Sequence, residues 1–187
     1  LNCTKCGDRS CRTLDACRAT IPDDQIVMAQ YHQAETQAIV QAAARLVDDG
    51  LAGTLARVQE LERFILDRDY AKVGLAYCYG MEHEARQILQ RLRGRGIRAV
   101  AISCTVGGLA QSEINEASLK PGVSCNPLSQ AAQLEAEGVD LAVVVGLCLG
   151  HDILFTKAFS GDQTTLVVKD RVHRHRPLDA LAEASRA

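Results

Sequence analysis

Aromatic side chains are nearly missing from this chain: its 187 residues contain four Tyr, three Phe and no Trp. That removes the stacking platforms on which single-stranded nucleic acids are usually held. An excess of one charge is missing too. Lys and Arg number 21 against 23 Asp and Glu, a formal net charge of −2, which speaks against a dedicated nucleic-acid or membrane-surface binder. No apolar run is long enough to span a bilayer. Leu1–Arg12 is polar and lacks the basic start and apolar stretch of a signal peptide. There is no low-complexity tract and no strict internal repeat.

Several catalytic signatures are absent as well. No Gly-x-Gly-x-x-Gly or Walker-type loop follows the first expected strand, where Cys78-Tyr79-Gly80-Met81 stands instead. A classical dinucleotide site is therefore disfavoured. Local spacing supports neither a Ser/His/Asp triad nor a paired-carboxylate site. Glu82 and Glu84 sit at an expected helix start, where acidic groups serve the helix dipole. His83 is weighed there as a ligand and His32 as a polar-face residue. The basic run Arg171–Arg176 reads as a solvated tail segment or an anion contact.

What is present is cysteine, eight in all. Hydrophobic residues make up 47% of the chain, enough for a core without disulfides. The strand-and-helix pattern described next suits a cytoplasmic protein whose thiols stay reduced, so metal or redox roles are expected for them.

Residues 1–22 form a Cys-rich segment without apolar periodicity, and residues 23–187 form an α/β domain. Pro22-Asp23-Asp24 marks a helix start, and helical spacing of Ile26, Ala29, Ala38, Ile39, Ala42 and Leu46 predicts one helix to about Asp49, closed by Gly50. A second leading helix is predicted over Thr54–Asp67. Four short apolar runs then follow, Lys72–Tyr77, Ile97–Ser103, Leu141–Leu147 and Thr164–Lys169, with helices over Glu82–Arg93 and Leu128–Glu137. Nearly continuous apolar runs fit strands buried on both faces. Their alternation with helices predicts a Rossmann-like, doubly wound parallel sheet.

Three of the predicted strands meet a cysteine at their carboxyl ends: Cys78, Cys104 and Cys148. Those ends share one edge of a parallel sheet, where ligands bind. Cys125, just before Asn126-Pro127 at a predicted helix start, belongs above the same edge. Four soft sulfurs there suit an iron–sulfur cluster, of the 4Fe-4S kind above all, or tetrahedral zinc. His151 and Lys169 are the candidates for proton delivery or electrostatics, with Asp152, Asp170 and Arg171 nearby. The bland alternative is that these are small buried residues. A dithiol centre is a further reading, but no Cys-x-x-Cys lies in the α/β part to support it.

The N-terminal set is Cys3-x-x-Cys6 followed by Cys11 and Cys17. A Cys-x-x-Cys pair lets two thiolates of one turn reach one centre, and two more complete a four-sulfur shell. The spacing matches neither familiar ferredoxin pattern, so zinc and a four-iron cluster both stay open. Lys5, Arg9, Arg12 and Arg18 would offset its negative charge.

Several motifs carry a resemblance. They are Ser10-Cys11-Arg12 after the Cys-x-x-Cys, Gly74–Cys78, Cys104–Gly108, Ser124–Pro127, Gly146–Asp152 and Leu166–Val172. In these the chain resembles a family of uncharacterised metal-binding proteins found largely in anaerobic bacteria and archaea. The resemblance spans nearly the whole chain and implies metal binding by cysteines, without a known reaction. Thr105 and Arg176 depart from it, standing where Lys and Asn are expected. The combined expectation is a cysteine-ligated metalloprotein, iron–sulfur first, with a redox or electron-transfer role. It would serve a redox partner protein or a small-molecule substrate. The rival expectation is a non-catalytic zinc-binding or metal-handling module with a structural N-terminal zinc site, its crevice thiols capturing or relaying metal.

Overall fold

The computed structural model describes residues 2–13, 17, 19 and 24–184. Pro22 and Asp23 of the expected helix start lie outside them. Within the N-terminal segment are two 3-10 turns, Cys3–Lys5 and Ser10–Arg12. No helix among the described residues is long and apolar enough to cross a membrane.

The first predicted helix is two. Helix α1 spans Asp24–Tyr31 and α2 spans Ala34–Asp48. The chain turns extended at Gln33 (φ −63°, ψ 140°), and the Gln37 amide donates to Tyr31 O at 2.7 Å, satisfying a carbonyl that the break exposes. Helix α3 spans Arg57–Arg68, beginning later than the expected Thr54. Thr54 instead closes the preceding turn by donating through both its N–H and its hydroxyl to Leu51 O. Gln59 Oε1 then accepts from Ala56 N at 2.8 Å and starts α3. So three helices lead into the sheet where two were predicted.

The remaining elements follow the expected alternation. Strand β1 is Val73–Tyr77, α4 Glu82–Gly94, β2 Ala99–Ser103 and α5 Gln111–Ile114. Helix α6 is Pro127–Ala136, β3 Leu141–Val145, α7 His151–Ala158, β4 Asp162–Val167 and α8 Asp179–Ala184. All strand pairs are parallel, in the order β2-β1-β3-β4. The α/β, doubly wound expectation therefore holds.

Side-chain alternation sorts the core into two layers. Val73 and Leu75 of β1 and Val143 and Val145 of β3 pack with Leu61 and Ile65 of α3 and Leu92 of α4. Ala76, Ala142 and Val144 face the other way, against Ala131 and Leu134 of α6 and Phe155 of α7. Gly74 is fixed by this second layer, because a Cβ there would stand 2.7 Å from Leu134 Cδ2. Glu62 on α3 is buried and ion-paired to Arg91 of α4, which ties the leading helices to the first face.

This topology sets where function can sit. The chain leaves β1 for β2 on one side and returns to β3 on the other. The helix after β1 and the helix after β3 cover opposite faces, so a crevice opens between those two carboxyl ends.

Candidate functional site

Register brings the crevice thiols together. Tyr77 of β1 pairs with Ser103 of β2 on one side and Val145 of β3 on the other. The next residues along β1 and β2 are Cys78 and Cys104, both buried, at 3% and 1% exposure. Cys125 arrives from the loop before α6, and its sulfur lies 3.4 Å from that of Cys104. That approach is anchored by backbone, since Asn126 N donates to Cys104 O at 2.6 Å. Asn126 then caps α6, its Oδ1 accepting from Ser129 N, with Pro127 in the first turn.

Cations reach the same rim from the end of β4. Lys169 Nζ stands 3.5 Å from Cys78 Sγ, and the Arg171 guanidinium donates to Cys148 Sγ at 3.0 Å. Asp170 between them builds the loop that aims them. Its carboxylate accepts from the N–H groups of Val172 and His173. Its own N–H donates to His175 Nδ1. Those N–H bonds, that of His173 first, hold the Asp170 carboxyl below its ordinary range.

The thiols are electrostatically sorted. Cys78 is brought down to about 5, first because it accepts the thiol hydrogen bond of Cys104, then through the Gly80 N–H and the Lys169 charge, against the cost of burial. Cys104 is pushed up because its proton is held on Cys78 and because it is buried. The Tyr79 N–H, 3.3 Å from its sulfur, opposes this. Burial pushes Cys125 up, and the charges of Cys148 and Cys78 add to that, against the Cys104 hydrogen bond and the Arg171 charge. Cys78 is thus the thiolate of the group and Cys104 the thiol that serves it.

The other expected residues fall as follows. His151 opens α7, and its backbone N–H donates to Cys148 O at 2.9 Å. Asp152 is a turn residue, Oδ1 accepting from Gly150 N and Ile153 N. His83 lies in the first turn of α4. Among the described residues no group of three or more His, Cys, Asp and Glu side chains is arranged to hold a single metal ion.

Three participants escaped the sequence reading. Gln130 of α6 is fully buried, and its Nε2 donates to Tyr77 O at 3.1 Å and Ile102 O at 2.7 Å. It clamps the ends of β1 and β2, one residue before Cys78 and two before Cys104. A polar residue within an apolar helix face was its only signal. The Tyr79 amide, which donates to Cys104 Sγ, is a backbone group and leaves no residue signature. Met81 is the third: it packs against Gly146, whose φ is +63° and whose Cβ, if present, would collide with Met81 Sδ.

The N-terminal set has a different geometry. Cys6 N donates to Cys3 O at 3.2 Å in the Cys-x-x-Cys turn, and Asn2 Oδ1 caps it by accepting from Thr4 N. Cys3, Cys6, Cys11 and Cys17 all line one cavity of about 320 Å³, with Arg9 and Arg12. Ala19 N donates to Cys17 Sγ at 3.4 Å. Arg18 lies outside the described residues. A further cavity of about 260 Å³, between α2, α3 and the start of β4, holds no cysteine.

An uncharacterized protein of Methanocaldococcus jannaschii, MJ0455, is 32% identical over 184 residues, covering 97% of this chain and 93% of that one. The crystal structure of PH1733, an aspartate racemase homologue from Pyrococcus horikoshii OT3, aligns with a TM-score of 0.37 at 17% identity. That alignment covers 75% of this chain and 63% of the solved one. The family model described as "Protein of unknown function (DUF1847)" matches residues 17–166, so the chain belongs to that family.

Proposed function

We propose that this protein is a cysteine-ligated iron–sulfur protein with a redox role. The observation that carries the reading is the convergence of Cys3, Cys6, Cys11 and Cys17 on a single cavity of about 320 Å³. Four cysteines lining one space of this size suit a polynuclear cluster, which is held by four cysteine thiolates, once their side chains turn toward it. The remaining lining fits the same group. Arg9 and Arg12 oppose its negative charge, and the Ala19 N–H already donates to a ligand sulfur. When bound, such a cluster supplies one-electron transfer. The chain's own part is to bind it, to brace it with the two 3-10 turns and to tune it by charge and N–H donors.

The sequence reading placed the cluster at the crevice. There the close spacing of Cys104 and Cys125 favours a second reading, a soft ion captured by Cys78, Cys104, Cys125 and Cys148 in a metal-handling module. Sulfurs sharing one tetrahedral zinc stand about 3.8 Å apart, by geometry from the Zn–S bond length, close to the 3.4 Å of that pair.

Anaerobic purification with iron, sulfide and zinc assays tests both. Broad visible absorbance accompanied by iron and sulfide, and lost in Cys6→Ser, is the expected outcome. A colourless protein carrying only zinc would overturn the cluster and leave the metal-handling reading standing.

A further inference from the structure

We propose that Cys104 and Cys125 form a reversible disulfide and make the crevice a thiol–disulfide exchange centre whose substrate is a disulfide. This goes beyond the cluster reading and does not depend on which cofactor the N-terminal cysteines hold. The pair is separated by 21 positions, so no Cys-x-x-Cys announces it; the fold makes it.

Four observations carry the inference. The two sulfurs are 3.4 Å apart, so bonding at about 2.05 Å needs only that side-chain adjustment bring them roughly 1.4 Å closer. The backbone bond from Asn126 N to Cys104 O holds the two segments together without using either sulfur. Exposure is asymmetric: Cys104 is buried, whereas Cys125 is half-buried and opens to the rim. Finally, Gly107 and Gly108, both at positive φ, carry the chain around the rim without side chains, and a Cβ on Gly107 would only touch Asn126.

These positions assign the roles. The Cys125 sulfur gives up its proton as it attacks one sulfur of a disulfide RSSR, the R–S–S–R bond breaks, and the departing RS⁻ takes that proton. The mixed disulfide Cys125–S–S–R is then attacked by the Cys104 sulfur, its S–S bond breaks, and the second RS⁻ departs. Each thiol proton ends on a departing RS⁻. The balance is dithiol plus RSSR to protein disulfide plus two RSH, the substrate being reduced and the protein oxidised. The buried partner is the one that resolves, so no second substrate molecule can trap it.

The experiment uses the full chain, purified anaerobically, with hydroxyethyl disulfide as probe and peptide mapping by mass spectrometry without reduction. The expected result is a linked peptide pair carrying Cys104 and Cys125, with two thiols released per pair. Cys104→Ser should stop at a mixed disulfide on Cys125, and Cys125→Ser should leave Cys104 unmodified. Because Cys125 is the half-exposed position, that second variant keeps the test valid if Cys104→Ser does not fold. Linkage of either residue to Cys78 instead would overturn the proposal. So would a pair that stays reduced until a chelator is added, which would make it a metal site. Iron content is read in the same samples, so loss of the N-terminal cluster is seen separately from failure of the exchange.

Discussion

Lys169 and Cys78 meet across a strand that belongs to neither of them. Lys169 follows β4 and Cys78 follows β1, with β3 lying between in the sheet, yet Nζ and Sγ stand 3.5 Å apart. The side chain passes over Gly146 at the end of β3, where an added Cβ would stand 3.7 Å from Lys169 Cδ. The absence of a side chain at Gly146 is thus part of how the cation reaches the thiolate.

Replacing Lys169 by Met should raise the midpoint at which Cys78 ionises. It should nevertheless stay below the ordinary thiol value of 9.0, because the larger cause, the Cys104 hydrogen bond, and the Gly80 N–H both remain. Thiolate ultraviolet absorbance against pH, in metal-free protein with Cys78→Ser as blank, reads this directly. An unmoved midpoint would show that the ammonium plays no part.

The same group makes stability depend on pH. Cys78 is an acid whose folded value is lowered, from 9.0 to about 5. Its contribution is therefore present in full above the unfolded value and is lost as pH falls through about 5. Cys104, raised, stays protonated in the folded state and opposes this trend only near and above 9.0, where its unfolded thiol ionises. Denaturant midpoints of metal-free protein should fall from pH 9 toward pH 5. Lys169→Met should flatten the slope.

Gly146→Ala meets two obstacles, a φ of +63° and the Met81 sulfur. Strain and overpacking together should cost about 2–4 kcal/mol in urea unfolding. Shortening the neighbour in Gly146→Ala/Met81→Ala should not restore full stability, since the backbone strain persists and Met81 itself is core. Full restoration would mean that the clash is the whole effect.

Gln130→Leu removes the donor shared by Tyr77 O and Ile102 O. Tyr77 O keeps the Cys104 N–H and the buried Gln130 Oε1 has no partner among the described residues to lose, so the cost should be about 0.5–1.5 kcal/mol. Beyond stability, yield of the Cys104–Cys125 linkage should drop, because the ends of β1 and β2 are no longer clamped. A variant that loses stability but exchanges normally would show that Gln130 serves the core alone.

The sheet was legible at its centre, where β1 and β3 are buried along nearly their whole length and read as unbroken apolar runs; edge strand β4, with exposed positions, starts at Asp162, before the expected Thr164. Strand-end cysteines then placed Cys78 and Cys104 correctly by register alone. The break at Gln33 was not legible, since α1 and α2 continue one apolar period and the interruption is carried by hydrogen bonds of Gln37. Cys125 was expected above the same edge as Cys104, but their 3.4 Å contact depends on how the loop before α6 folds back. Arg171 was expected at the rim, but its pairing with Cys148 needs the turn that Asp170 organises.

The parallel ladder also fixes an order of events in synthesis. No two of its strands are joined by a hairpin; each pairing waits for a helix to be made and folded back. β1 lacks its second neighbour until β3 has been made, and Lys169 comes later still. The N-terminal cysteines, by contrast, are close in sequence and emerge first. A nascent chain would therefore present its N-terminal thiols well before its crevice exists.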